Sequence, residues 1–146
     1  MNRVELAVSC FEGGCTCSQA LLLAYGVKFG LDRDIALRIA DGFGGGMGNM
    51  GETCGVVTGA FMVIGLKHGR TVLEDRDAHR KTNSLINDFV SLFKSRNGSI
   101  VCKELLCCDV STPEGLNSAR EKKLLTTVCP KYVRDAAEIV EELLRL

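Results

Sequence analysis

The residues whose chemistry stands out in this chain of 146 are its eight cysteines: Cys10, Cys15, Cys17, Cys54, Cys102, Cys107, Cys108 and Cys129. A thiolate can attack a disulfide, bind zinc or hold an iron–sulfur cluster. Free cysteine is also among the most buried residue types and often does no more than pack. Spacing removes several options. No Cys-x-x-Cys occurs, so neither a thioredoxin-type pair nor a zinc ribbon is indicated. Cys-x-x-Cys-His is absent as well, which excludes covalent c-type haem. Cys15 and Cys17 are separated by one residue, and Cys107 and Cys108 are adjacent; neither is a usual zinc clip. Any four-cysteine site must be assembled by tertiary folding.

Other candidates are weaker. His68 is expected at a helix end, where the dipole favours a cation, and His79 lies on a charged face among Arg76, Asp77, Arg80 and Lys81. Glu52 and Asp41 flank a glycine-rich segment and read equally well as general acids or as surface groups. That segment, residues 42–51, has six glycines in ten positions but lacks a Gly-Lys-Ser/Thr ending and follows no strand signal. It fails the tests for nucleotide binding. Its expected role is close backbone approach, with N–H groups directed at cysteine sulfur. Gly45, Gly46 and Gly55 are the candidate backbone contacts to whatever the site holds.

The elements that must position these residues read as an all-α single domain over residues 1–146, a compact bundle of about six to seven helices. Apolar residues recur at three- and four-residue spacing, and alternating β-branched runs are missing. Helices are expected over about Arg3–Phe11, from Thr16–Ser18 through Tyr25, and after an Asp32 cap. An all-round apolar helix over about 53–68 belongs at the centre. A long amphipathic helix follows over about Glu74–Ser95, then a short one with Cys102, another at Thr112-Pro113, and a C-terminal one from Cys129-Pro130. On this layout Cys17, Cys54, Cys102 and Cys129 each sit at a helix start. Unpaired N–H groups there carry about half a positive charge and favour thiolate over thiol. The other four cysteines fall at helix ends or junctions.

Composition bounds the rest. Lys+Arg and Asp+Glu are both 18, so no basic excess points to nucleic acid. The longest apolar run, Cys54–Leu66, falls short of the roughly 20 residues a membrane span requires, and no secretory signal is read at the N-terminus. The expectation is a cytoplasmic protein without membrane insertion. A domain this long buries roughly 70% of its unfolded surface and does not need disulfides to fold. In a reducing compartment its cysteines should be thiols, ligands or redox groups.

Segment by segment, these motifs resemble the C_GCAxxG_C_C family of small redox-active proteins, over nearly the whole chain. Cys17-Ser18-Gln19-Ala20 is similar to the first cysteine segment. Gly44-Gly45-Gly46-Met47-Gly48 followed by Cys54-Gly55-Val56-Val57-Thr58-Gly59-Ala60 is similar to the central one, with Val56 where alanine is usual. Gly98-Ser99 and Cys102-Lys103-Glu104-Leu105-Leu106 resemble the third, with Cys107 where glycine is common. Cys129-Pro130-Lys131-Tyr132-Val133 resembles the fourth. The resemblance implies a redox role for Cys17, Cys54, Cys102 and Cys129. It also implies kinship with split-Soret cytochromes c, electron-transfer proteins with haem and an iron–sulfur centre; this chain lacks their haem motif. The family is frequent in anaerobic microbes and is often encoded near transporter genes.

Two chemistries stay open at this point. One is thiol–disulfide exchange without a cofactor, with Cys54 the attacking thiolate and Cys17, Cys102 or Cys129 resolving it. The other is an electron-transfer or sensor module with a cluster on the four cysteines, [2Fe–2S] being the form the relatives imply. Structural zinc lacks the paired spacing it prefers, and a helical adaptor with inert cysteines is the plain alternative. The expected partner is an unidentified redox protein. The small-residue stripe of Gly55 and Gly59 serves either a homodimer or an internal helix crossing.

Overall fold

The computed structural model describes residues 1–146 and is built of α-helices. They are α1 (Arg3–Glu12), α2 (Cys17–Gly26), α3 (Arg33–Ala40), α4 (Gly55–His68), α5 (Arg76–Asn97), α6 (Cys102–Leu106), α7 (Pro113–Glu121), α8 (Leu124–Thr127) and α9 (Cys129–Leu144). Seven of them have eight residues or more. No strand forms; the nearest approach is one isolated antiparallel bridge between Thr53 and Val101. No helix is long and apolar enough to cross a membrane.

The helix starts are set by local side chains. Asn2, Asp32, Asp75 and Thr112 each accept from backbone N–H groups of the first turn. Thr16 and Gln19 make a reciprocal capping box at the start of α2: Thr16 Oγ1 accepts from Gln19 N–H, and Gln19 Oε1 accepts from Thr16 N–H. Pro113 and Pro130 occupy first-turn positions, where a missing N–H costs nothing.

The core lies between α2, α4, α5 and α9, with α1 closing one side. Tyr25, Phe89, Phe93, Leu21, Ile64 and Ile139 are fully buried there. Each such side chain stabilises the fold by about 1.5–3 kcal/mol through apolar burial. Helix α4 buries Val56, Val57, Ala60, Val63 and Ile64, as its composition predicts, while Leu66 emerges at the far end. The glycine stripe is used internally. A Cβ added at Gly59 would stand 2.9 Å from Leu21 Cβ and 3.0 Å from the Ser18 carbonyl. Helix α2 therefore packs directly against the α4 backbone.

A second, smaller cluster of Cys102, Leu106, Val110 and Ala119 joins α6 to α7, with Leu116, Leu124 and Leu125 packed on it. Helix α8 was not expected from the sequence. Its four residues carry too little periodicity to be read, and it follows Lys123, which holds a left-handed backbone.

Candidate functional site

Cys17, Cys54, Cys102 and Cys129 all line one cavity of about 500 Å³. Each stands at a helix start: Cys17, Cys102 and Cys129 open α2, α6 and α9, and Cys54 caps α4. Backbone pairing joins two of them. Cys54 N–H donates to the Ile100 carbonyl at 2.7 Å, and Cys102 N–H donates to the Glu52 carbonyl at 2.6 Å. Residues 51–54 are thereby zipped to residues 100–103. This pairing also delays α4 to Gly55, two residues later than its apolar pattern predicts.

The glycine-rich segment forms the cavity's other wall. Gly45, Gly46, Met47, Gly48 and Asn49 are consecutive residues with φ between +56° and +70°. They make a left-handed turn, tied by Gly48 N–H to Gly42 O at 2.7 Å and Gly51 N–H to Gly45 O at 3.1 Å. A side chain in that conformation costs roughly 1–2 kcal/mol per residue, so glycine dominates the run. Gly46 carries a second constraint, since an added Cβ would meet Glu52 N at 2.6 Å and Cys102 Cβ at 2.7 Å.

These elements meet at Cys17. Its thiolate is favoured by the Cys54 thiol and by the backbone N–H groups of Gly45, Gly55 and Cys17 itself, and Gly55 packs directly on the sulfur, where an added Cβ would stand 3.0 Å from Cys17 Sγ. The Cys54 thiol is the largest influence, and together the donors pull Cys17 from an ordinary 9.0 down to about 6, against the opposing effect of burial. Cys54 moves the opposite way, pushed well up by the bond it donates to Cys17 and by burial. Burial first, then the Cys17 charge, raises Cys102 to about 11 and Cys129 to about 12. These surroundings favour the thiolate at Cys17 and the thiol at the other three. Within the pair the surroundings favour the thiolate at Cys17 and the thiol at Cys54, the opposite of the roles expected from the sequence.

The three candidate glycines divide by role. Gly45 and Gly55 supply N–H groups to Cys17, whereas Gly46 permits close approach to Cys102. Gln19 locks the start of α2 onto α3 by donating to Leu37 O at 3.0 Å and to Asp41 Oδ1 at 3.1 Å. Buried Ser18 donates to Ala40 O at 2.7 Å. Asp41 stands at the cavity wall, while Glu52 pairs with Lys103 at 3.7 Å outside it. His68 and His79 do not reach the cavity. Burial and the neighbouring Lys81 and Lys67 lower His68, against the cation expected at a helix end. The sequence did not single out Phe11, Leu125 or Tyr132, which complete the walls. Tyr132 O–H donates to Leu105 O at 3.0 Å.

Cys10 and Cys15, which the sequence placed only at helix ends or junctions, form a disulfide. The Gly13-Gly14 turn folds the chain back so that Cys15 N–H donates to Cys10 O at 2.9 Å, and the Cα atoms come within 5.4 Å. Cys107 is exposed and Cys108 half-buried, the latter facing Ser118.

No group of three His, Cys, Asp or Glu side chains is placed to hold one metal ion. A zinc ion or a cluster would require the four thiols to draw closer together than they stand here. The donor set fits a thiol pair.

Fold and site together define an all-helical protein with four cysteines at helix starts around one cavity. The chain belongs to the family described as "Putative redox-active protein (C_GCAxxG_C_C)", whose pattern matches residues 15–143. No curated protein and no solved structure matches it.

Proposed function

We propose that this protein carries out thiol–disulfide exchange, with Cys17 the attacking thiolate and Cys54 the resolving thiol. The observation that supports this most is the meeting of Cys17 and Cys54 in one cavity at two adjoining helix starts, with the Gly55 backbone packed against the Cys17 sulfur. A nucleophilic thiol reacts fastest when its pKa lies near ambient pH, and the value of about 6 at Cys17 meets that condition. Cys17 attacks one sulfur of a disulfide, forming a mixed disulfide and releasing a thiolate. That thiolate takes the Cys54 proton, and the Cys54 sulfur then attacks Cys17, releasing the second thiolate. One substrate disulfide is reduced to two thiols as Cys17 and Cys54 are oxidised to a disulfide. Cys102 and Cys129 stay protonated and do not compete for the first attack.

Site-mapped alkylation of the reduced protein tests the assignment. Cys17 should react fastest at neutral pH, with a half-maximal rate near pH 6. Six equally slow thiols, or Cys54 fastest, would overturn it. Anaerobic purification of a coloured protein with stoichiometric iron and sulfide would replace it by a cluster site.

A further inference from the structure

The cavity around the thiol pair has no cationic side chain in its lining. Its volume of about 500 Å³ suits a compact organic molecule. Phe11, Leu105, Leu106, Leu125 and Tyr132 supply its large apolar side chains, Asp41 is the one acidic side chain there, and no lysine or arginine lines it. A carboxylate entering this space loses hydration and finds no cation to replace it. It also meets two negative groups, Asp41 and the Cys17 thiolate. An uncharged apolar group gains instead, by about fourfold in affinity for each methylene removed from water.

We infer that the oxidant this site accepts is a small, uncharged, largely apolar disulfide, and that disulfides bearing carboxylates are rejected; this rests on the thiol-pair function proposed above. The reaction is the exchange already written. One substrate sulfur bonds to Cys17 while the other leaves as thiolate, and Cys54 completes the transfer of two electrons by releasing the second.

The discriminating pair of probes is dithiodipropanoate and its dimethyl ester, which share a backbone and differ in charge. Each is reacted with the full, reduced chain, and its rate is divided by its rate with free cysteine thiolate. In the Cys54→Ser protein, which cannot resolve it, the mixed disulfide is located by peptide mass. The ester should react at Cys17 at least about tenfold faster than the dianion after this normalisation. Asp41→Asn should narrow the gap by speeding the dianion; an unchanged gap overturns the part assigned to Asp41. A fast Cys17 that takes the dianion as readily as the ester overturns the substrate class and leaves the thiol pair standing. No mixed disulfide at Cys17 with either probe overturns both.

Discussion

The groups that favour the Cys17 thiolate are the Cys54 thiol and nearby backbone N–H groups, and only the first belongs to a removable side chain. Cys54→Ala deletes that S–H and leaves the backbone N–H groups of Cys17, Gly45 and Gly55. The alkylation profile of Cys17 should then move towards the ordinary thiol range, slowing its reaction at pH 6 by roughly fivefold, since a charge-assisted hydrogen bond is lost. Iodoacetamide labelling across pH with mass mapping measures it. Cys107 offers a prediction of a different kind. It sits just past α6 with φ +53°, the left-handed position where a helix commonly ends on glycine. Cys107→Gly should stabilise the protein by about 1 kcal/mol, raising Tm by roughly 3 °C in a thermal melt.

At the scale of elements, the α2–α4 crossing decides the site, because it brings Cys17 and Gly55 together. A Cβ on Gly55 would lie 3.0 Å from Cys17 Sγ, and one on Gly59 would press on Leu21. Gly59→Ala should destabilise the fold by about 1–3 kcal/mol through overpacking, read as a lower denaturant midpoint with unchanged slope. The helices themselves were largely legible. Caps at Thr16, Asp32 and Thr112 mark their starts, and the buried faces of α4 and α9 follow their apolar spacing. The long helix was legible in extent but less so in depth: of its apolar residues only Phe89 and Phe93 are fully buried. The start of α4 was misplaced because residues 51–54 pair with a segment about fifty positions away. Local propensity holds no information about that partner. The glycine run was legible as non-helical, but its left-handed course depends on where Cys102 and Glu52 come to lie.

For the whole molecule, the thiols tie stability to pH. Cys17 is depressed from 9.0 to about 6 on folding, so its thiolate stabilises the folded state fully above pH 9, and this is lost as pH falls through 6. Cys54, Cys102 and Cys129 are raised and act oppositely, destabilising the fold as pH climbs above 9. The Tm difference between the wild-type protein and Cys17→Ser should therefore widen from pH 6 to pH 9; a constant difference would show that Cys17 is not ionised in the fold. What the sequence determined by itself was the helical class, the four helix-start cysteines and the family resemblance, because capping and periodicity act over a few residues. Tertiary structure alone decided that Cys10 and Cys15 join, that the glycine stripe serves an internal crossing, and that Cys17 lies where a thiolate is favoured. Each of these depends on where backbone donors and sulfur atoms come to rest in space: Gly45 and Gly55 reach Cys17 only after a left-handed turn and a helix crossing have carried them there.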